Sequence, residues 1–483
     1  MSASREKKNR QTLNESGYVD PRKAHEAEEK AKDRRQTRIY TLIIAAFLLV
    51  GAGLFASNRI QTAKANAERA AIGQTAAVRI GDKEYSVNEV AYYYSSVYNT
   101  IASSASSFGY DTSADPRDQQ FTDDRTWFDY FIDVALQSMT QSVTLADKAE
   151  AEGFDASAEA DSAVESGLAS VDTYASYYGT TRAKYLQAAF GEYMTEDVFK
   201  QCVRRDAIAS AYQQSYADSL NYTDADLQAA YDADPTAYQS ADIEYVLFNT
   251  TLDSDATDGD KAAAQAENKT KAESLLARYA QGESFEALAE ELDGSYTHLA
   301  NASSTSSDLL QWAFDDARES GDTTTIVYNQ TGYYAALFHD RTRNDYYPVS
   351  VRHILVSEED KANELLTEYL GGEQTEDAFA ALAQANSTDS SASNGGLYEN
   401  IYKGQMVAAF EDWCFDPARQ PGDTGIVQTS YGYHVMYFVG TGDEPYWKVK
   451  AASDLKSSDT QSWLTEQLDG VDSEQLDGMQ YVG

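Results

Sequence analysis

The pattern of apolar and polar residues changes character several times along the chain. From about residue 88 to residue 237, apolar residues recur at helical spacing, most regularly in 127–151 and 193–216, which predicts amphipathic helices. Just before this region, two short stretches of strand-like residues flank Gly81-Asp82, as in a small β element. We therefore expect a mainly helical domain at 76–237. Its sequence holds no cluster of His, Cys or convergent acidic residues that would suggest a catalytic site.

A pattern of strand, helices and strand then occurs twice in succession. The first copy opens at 243–248 and closes at 333–338, and the second opens at 351–356 and closes at 433–438. Each copy also carries a Trp-Xaa-Phe-Asp run followed by a Gly-Asp turn. A repeat at a spacing of about 100 residues predicts two tandem domains of one fold. Their expected ranges are 240–345 and 349–441, followed by a helical C-terminal tail at 442–483.

One apolar segment is of a different kind. Residues 39–58 form a run of 20 without a charged side chain, a length that spans a bilayer as a helix. Residues 1–38 contain 11 Lys and Arg against 7 Asp and Glu, so the positive-inside rule places the N-terminus in the cytoplasm. We predict a basic stub (1–38), a single transmembrane helix (39–58) and a stalk (59–75). A cleaved signal peptide is the alternative, because small-residue pairs such as Ala63 and Ala65 follow the run.

The charge balance narrows the possible partners. Lys and Arg total 38 against 78 Asp and Glu, a formal net charge of −40. Such a surface repels nucleic acid, whose binding depends on Lys and Arg contacts to phosphate. The acidity also suits the solubility of an exported protein, so it does not by itself indicate substrate choice. Cys202 and Cys414 are the two cysteines, and their separation gives neither a disulfide framework nor metal-ligand spacing.

Two of the five histidines fall at matched strand positions of the second copy. They are His353 and His434, and the first copy has Tyr245 and Tyr334 at the corresponding places. Taken alone, two histidines on strands are compatible with satisfied core residues as well as with a site.

The sequence around these histidines resembles the parvulin family of peptidyl-prolyl isomerases over about 349–441. Each piece is short, but their order and spacing follow the family. The runs that carry the resemblance are 353–356, 379–383, 387–396, 404–411, 421–425 and 429–434.

The resemblance implies roles for particular residues. The residues that match the family's functional positions are, for the catalytic site, His353, Asp389, Thr429 and His434, and, for the proline pocket, Tyr398, Met406 and Phe410. Met406 and Phe410 are four residues apart, which on a helix places them on one face. The chain departs from the family's usual Gly-Gly-Asp-Leu-Gly at 395–399, so that Tyr398 takes the place of a pocket leucine. No metal or other cofactor is implied.

The resulting expectation is an α+β, membrane-anchored and outward-facing folding factor. Its layout resembles that of the PrsA and SurA foldases: an anchor, a helical chaperone domain and two tandem parvulin-like domains, each a small antiparallel sheet flanked by helices. The first is expected to be degenerate because it lacks both histidines. The implied activity is cis–trans isomerisation of Xaa-Pro bonds in unfolded exported polypeptides at the outer side of a bacterial cytoplasmic membrane. The loop at 357–360 is acidic, so phosphorylated substrates are not expected. The alternatives are a non-catalytic holdase and a surface protein that uses the repeats as spacers.

Overall fold

The computed structural model describes residues 63–105, 109–303 and 306–483. These residues form two compact units, a helical unit (63–221 with 456–483) and a sheet unit (222–455). The predicted stub at 1–38, the predicted transmembrane helix at 39–58 and the start of the stalk lie outside the described residues. Across the ranges that are described, no helix combines the length and the apolar character needed to cross a membrane.

The helical unit is built mainly from long helices with a few short strands. In chain order its elements up to residue 221 are α1 (Ala63–Gly73), β1 (Ala76–Ile80), β2 (Lys83–Ser86), α2 (Val87–Ala105), β3 (Gln120–Thr122), β4 (Arg125–Thr126), α3 (Trp127–Glu152), α4 (Ser157–Tyr177), α5 (Arg182–Phe190) and α6 (Glu196–Ser219).

Local sequence explains where the long helices of this unit begin. At the start of α3, the Thr126 side chain accepts from the Asp129 N–H, while the Asp129 side chain accepts from the Thr126 N–H, which satisfies two otherwise unpaired donors. At the start of α6, the Thr195 hydroxyl accepts from the Val198 N–H. The core between the helices is rich in aromatic rings, among them the fully buried Phe131 and Phe199. The helical pattern expected over this region is therefore confirmed.

The sheet unit begins earlier than the sequence boundary at 237 suggested. Helix α7 (Asp224–Ala233) belongs to this unit. The reason is its apolar face, where Leu227 packs with Tyr238, Trp447 and Ala451 in one buried cluster.

Two modules of the same topology follow within the sheet unit. The first module contains β5 (Gln239–Asn249), α8 (Asp258–Tyr279), α9 (Phe285–Glu291), β6 (Ser295–Ala302), α10 (Asp308–Ala313), β7 (Thr323–Val327) and β8 (Gly332–Arg343). The second module contains β9 (Val349–Val356), α11 (Glu359–Gly371), α12 (Glu376–Asn386), β10 (Leu397–Ile401), α13 (Ala408–Cys414), β11 (Thr424–Thr429) and β12 (Gly432–Thr441). Their sheets are antiparallel, with strand orders β6-β5-β8-β7 and β10-β9-β12-β11. The identical order supports the repeat read from the sequence, and the expected mixture of helix and sheet is confirmed.

The second sheet separates two small cores. Alternation along β9 and β12 sends Ile354 and Val435 to the face covered by α11 and α12. Val351 and Met436 face the other side, where α13 covers the sheet. His353 lies directly opposite Met436 in the strand register, so it shares the α13 face.

The C-terminal tail is more varied than the predicted helical segment. Helix α14 (Tyr446–Leu468) is followed by a short strand, β13 (Ser473–Gln475), which pairs antiparallel with β1. This pairing makes the last part of the chain an edge of the sheet β13-β1-β2. The sequence did not indicate β13 because its three residues are polar and exposed, which leaves no apolar alternation to detect.

Candidate functional site

The paired histidines come together because they lie on neighbouring strands of the second sheet. His434 on β12 is opposite Leu355 on β9, two residues from His353. Both side chains project to the same face, and both are buried, with exposed fractions of 1% for His353 and 6% for His434. Their Nδ1 atoms are 3.0 Å apart, and the rings are stacked with centroids 5.2 Å apart. The structure therefore joins the two predicted histidines directly.

Thr429 lies at the outer end of this pair. It is the last residue of β11 and pairs with Gly432 at the start of β12. Its Oγ1 is 2.8 Å from Nε2 of His434, so this predicted site residue contacts one of the two histidines. The hairpin turn thus fixes the orientation of the His434 ring.

Asp389 lies at the other end, in the loop between α12 and β10. The loop is tied to the sheet by a hydrogen bond from the Thr388 N–H to the Leu355 carbonyl, at 2.9 Å. Asp389 caps a short 3-10 helix (Ser390–Asn394), and its Oδ1 accepts from the Ser391 N–H at 2.8 Å and from Ser391 Oγ at 2.6 Å. The same Oδ1 is 3.3 Å from Nε2 of His353. Four of the predicted residues therefore form one connected chain.

The direction of the hydrogen bonds along this chain follows from the chemistry of its ends. An ionised carboxylate only accepts, so Nε2–H of His353 donates towards Asp389. With both imidazoles neutral, each ring has one donor and one acceptor, so Nδ1–H of His434 donates to Nδ1 of His353. Nε2 of His434 then accepts from the Thr429 hydroxyl. All four groups are satisfied by this single arrangement of protons.

Electrostatics favour the protonation states assigned to His434 and Asp389. Burial, followed by the neighbouring His353, lowers the pKa of His434 to about 4, so this ring is neutral at neutral pH. For Asp389, burial acts to raise the pKa, but hydrogen bonds from His353 and Ser391 outweigh it and hold the pKa well below the usual value. The site therefore combines the negative charge of Asp389 with a neutral His434 ring.

Aromatic side chains surround the polar chain. The Tyr398 ring stacks on His353 with centroids 4.8 Å apart. Phe410 on α13 packs edge-on against both histidines, at 5.5 Å from His353 and 5.2 Å from His434. Met406 is part of the same apolar cluster. The three residues predicted for a proline pocket thus lie on the face of the sheet that carries the histidines.

The position of Met406 differs in one respect from the sequence prediction. Helix α13 starts at Ala408 with Val407 as its N-cap, so Met406 precedes the helix and does not share a helical face with Phe410. The chain turns just before it, at Gly404 with a φ of +87°. Gln405 Oε1 accepts from the Tyr402 N–H at 3.1 Å and stabilises the turn. This turn brings Met406 to the cluster without helical periodicity.

Two polar contacts of the site were not predicted from the sequence. Ser391 Oγ lies 3.2 Å from Nε2 of His353 in addition to its bond to Asp389. The Tyr398 hydroxyl donates to Asp389 Oδ1 at 3.0 Å, so this residue is more than the apolar wall that we expected. The spacing Asp-Xaa-Ser at 389–391 is a recognisable capping signal, but it carries no indication that a histidine would meet it.

A glycine allows the loop to approach the first strand. Gly396 has a φ of +71°, and a Cβ atom there would lie 2.2 Å from the carbonyl oxygen of His353. The His353 N–H in turn donates to the Gly396 carbonyl at 2.9 Å. Only glycine combines this backbone conformation with this closeness.

The first module has different residues at the same positions. The strand registers place Tyr245 and Tyr334 where the second module has His353 and His434. Tyr328, which precedes the hairpin turn, takes the place of Thr429. The rings of Tyr245 and Tyr334 meet edge-to-face with centroids 5.3 Å apart.

Metal binding is not indicated by the side-chain geometry. In the stretches of chain for which the structure is described, no group of three or more His, Cys, Asp and Glu residues is placed to hold a metal ion.

Comparison with known proteins finds a family match over the segment that contains these residues. Residues 336–439 match the family model described as PPIC-type PPIASE domain. This segment is a parvulin-type domain. The match begins within β8 and ends within β12, so it covers the second module except for the last two residues of β12, and it includes each of the predicted site residues.

Relatives of the parvulin-type domain are named as folding factors. Foldase protein PrsA 1 of Listeria innocua serovar 6a is 36% identical over 121 residues, which are 25% of this chain and 39% of the relative. Chaperone SurA of Hahella chejuensis is 26% identical over 283 residues, or 53% of this chain and 62% of the relative. The chain thus spans less than two thirds of the length of these curated relatives. The match to the crystal structure of PrsA from Bacillus subtilis covers 74% of this chain and 94% of the PrsA chain, with 15% identity and a TM-score of 0.32.

Proposed function

We propose that the chain is an extracytoplasmic foldase whose second module catalyses rotation about Xaa-Pro peptide bonds. The observation that carries this proposal is the chain of hydrogen bonds from Thr429 through both histidines to Asp389, enclosed by aromatic residues. The match to a parvulin-type domain over the same residues supports it.

The chemistry of the reaction explains why these groups suffice. Rotation about a peptide bond faces a barrier of about 20 kcal/mol because resonance gives the C–N bond partial double-bond character. No covalent bond is made or broken, so catalysis requires only that the site stabilises the twisted amide more than the planar one. The site needs an apolar contact for the proline ring and a polar environment for the amide.

In this proposal the apolar residues and the polar residues of the site have separate roles. Met406 and Phe410 contact the proline ring, together with the face of Tyr398. The negative charge of Asp389 disfavours the planar amide, in which resonance places extra negative charge on the carbonyl oxygen, and is less unfavourable to the twisted form. The histidines hold Asp389 and the pocket in place through the bonds described above. They take up no proton during the reaction.

The substrate class follows from the charges around the site. Glu358 precedes α11 as its N-cap, Glu359 and Asp360 form the start of that helix, and Arg352 is engaged by Glu376 at 2.9 Å. A phosphorylated residue before proline would need free basic groups, so we propose unphosphorylated Xaa-Pro bonds of unfolded exported polypeptides as substrates. No cofactor takes part.

The remaining parts of the chain complete the proposal. The first module is a non-catalytic parvulin-like domain, since tyrosines fill the positions of the histidines. The helical unit serves as a chaperone surface for unfolded chains. The segment 39–58 anchors the protein in a bacterial cytoplasmic membrane with the described residues on the outer side.

A protease-coupled cis–trans assay on Xaa-Pro tetrapeptides tests the catalytic part of the proposal. The full chain should accelerate isomerisation, and His434→Ala and Met406→Ala should each reduce kcat/KM by about tenfold or more. Tyr333→Phe, on the first module's closing strand, is the matched control and should retain full activity. A folded chain without activity on any Xaa residue would refute isomerase function and favour the holdase alternative.

A further inference from the structure

The turn at 402–406, which we call the pocket turn, carries Met406 to the apolar cluster on the α13 face of the second sheet. Within this turn, the Gln405 N–H donates to the Tyr402 carbonyl at 3.2 Å. The Gly404 N–H donates to Glu411 Oε2 at 2.7 Å, which ties the turn to α13. Met406 has an unbranched side chain with three rotatable bonds. Its position in the proposed proline pocket therefore depends on how firmly the backbone of the turn is held.

The segment that links the two modules also contacts the pocket turn. Tyr346 lies in this segment, between the end of β8 and the start of β9. Its hydroxyl oxygen accepts from the Lys403 N–H at 3.1 Å, and the Lys403 ammonium lies 5.2 Å from the centre of the same ring. The Tyr346 ring thus meets both the backbone and the side chain of one residue of the turn.

The first residue of α14 joins the linking segment to the pocket turn. The Tyr446 ring stacks on Tyr346, with centroids 5.4 Å and planes 19° apart, and on Tyr402, with centroids 4.8 Å and planes 15° apart. Tyr402 and Tyr446 are both buried. The Tyr446 N–H donates to the Tyr346 carbonyl at 2.7 Å, which holds the ring at the place where both stacks form. Stacked aromatic pairs contribute stability beyond the area that they bury.

The first module contacts the pocket turn as well. Gly404 has a φ of +87°, and a Cβ atom there would lie 3.1 Å from the Asn301 carbonyl oxygen. Asn301 belongs to β6, at one edge of the first sheet. Asn301 and Tyr446 both lie outside the segment 336–439 that matches the family model. The pocket turn is therefore contacted by parts of the chain that lie beyond its parvulin-type domain.

We propose that Tyr446 and Tyr346 are positioning residues of the isomerase site, which fix the pocket turn and with it Met406. They act through the turn and do not contact the substrate. Their role is to keep the Met406 side chain against the proline ring while the amide rotates, since a displacement of about 1 Å in a positioned group can greatly reduce catalysis. The inference rests on the proposed isomerase function for the reaction, but the position of Met406 is measurable without it.

Methyl NMR of the full chain tests the positioning itself. The chain has six methionines, and carbon-13 labelling of their methyl groups allows each to be assigned by the signal that its own substitution removes. The Met406 signal should shift in Tyr446→Leu and, to a smaller extent, in Tyr346→Phe, because the turn that carries it moves relative to the neighbouring rings. The signal of Met139, which is buried in the helical unit, should stay in place.

The isomerase assay tests whether this positioning matters for the reaction. Tyr446→Leu should reduce kcat/KM by about fivefold or more. In the Met406→Ala background it should cause less than about twofold further loss, because the two changes act on one contact. Tyr346→Phe keeps the ring but removes the oxygen that accepts from Lys403, so it serves if Tyr446→Leu fails to fold. Its expected loss is about threefold, and this loss should also be absent in the Met406→Ala background.

A buried ring elsewhere in the second module provides the matched control. Tyr369→Leu removes such a ring from the opposite face of the same sheet, and should keep kcat/KM within about twofold although it lowers stability. A Met406 signal that moves in neither folded variant would overturn the proposal, and so would losses that multiply in the double variants. An unaltered chain without isomerase activity would refute the proposed function instead, and the methyl signals would still show whether Tyr446 positions Met406.

Discussion

The two modules of the sheet unit have one topology but two different interiors. In the second module His353 and His434 stack with an interplanar angle of 23°, and their Nδ1 atoms are within hydrogen-bonding distance. In the first module the rings of the equivalent Tyr245 and Tyr334 meet at 83° and occupy the corresponding positions. Tyr328 adds a third ring at 5.1 Å from Tyr334. The same strand positions thus produce a polar chain in one module and an aromatic cluster in the other.

A second difference lies in the loop that supplies the charge. The second module has ten residues between α12 and β10 (387–396), which include Asp389 and its 3-10 helix. The first module has three residues between α9 and β6 (292–294). The first module therefore has no room for an equivalent of Asp389 at this edge. The fold does not by itself provide the site. The site also depends on this loop and on whether histidine or tyrosine occupies the two strand positions.

The largest effect is expected for substitution of Gly396, which allows this loop to pack against β9. Gly396→Ala should destabilise the second module by about 3 kcal/mol or more, because the left-handed backbone and the contact with the His353 carbonyl oxygen both oppose a Cβ atom. Hydrogen exchange of β9 and β10 measures the change. Gly371→Ala, at the end of α11 with nothing within 4 Å of its Cβ position, is the control. Equal protection in the two variants would show that the loop is not held in this way.

Ser391→Ala should have the next largest effect, on activity. The change removes the hydroxyl that contacts both Asp389 and His353 while the backbone bond to Asp389 remains. We expect kcat/KM to fall by about 20-fold, since bonds to charged groups contribute about 1.5–3 kcal/mol. Ser393→Ala, in the same 3-10 helix, is the control in the isomerase assay. Unchanged activity in Ser391→Ala would remove this hydroxyl from the site.

Tyr398→Phe isolates a single hydroxyl group. The ring that stacks on His353 is retained, and only the 3.0 Å bond to Asp389 is lost. We expect a loss in kcat/KM of about five- to tenfold, with a KM for the substrate that changes little. Unchanged kcat/KM would instead indicate that Tyr398 acts only as an apolar pocket wall, as the sequence suggested, because phenylalanine preserves the ring.

The smallest effect on isomerase activity is expected from a change of pH. Because the pKa of His434 is about 4, the ring stays neutral well below its ordinary value of about 6.5. Activity should change by less than about twofold between pH 8 and pH 6. The unfolded chain takes up a proton at this residue before the folded chain does, so its contribution to stability declines as the pH falls from about 6.5 towards 4. An NMR titration of the His434 ring with a midpoint near 6.5 would contradict this assignment.

The sequence predicted the repeat and the location of the site better than the details of the site. His353 and His434 lie at matched strand positions of the repeat, but only the resemblance to the parvulin family implied that they belong to one site together with Thr429. Met406 was assigned to a helix that begins two residues later, since helical spacing does not reveal a turn at Gly404. The role of Ser391 depends on the path of a loop, which no periodicity records. The edge strand β13 was missed for the same reason.

Reciprocal exchange between the modules tests most directly the claim that the isomerase site lies in the second module and not in the first. Isomerase activity of the full chain is measured for His434→Tyr and Tyr334→His, with His434→Asn as a smaller replacement should the tyrosine not be accommodated. The account predicts that both changes at His434 reduce kcat/KM by about 100-fold, or about 2.7 kcal/mol, and that Tyr334→His leaves it within about twofold. Full activity in folded His434→Asn, or loss of activity in folded Tyr334→His, would contradict it.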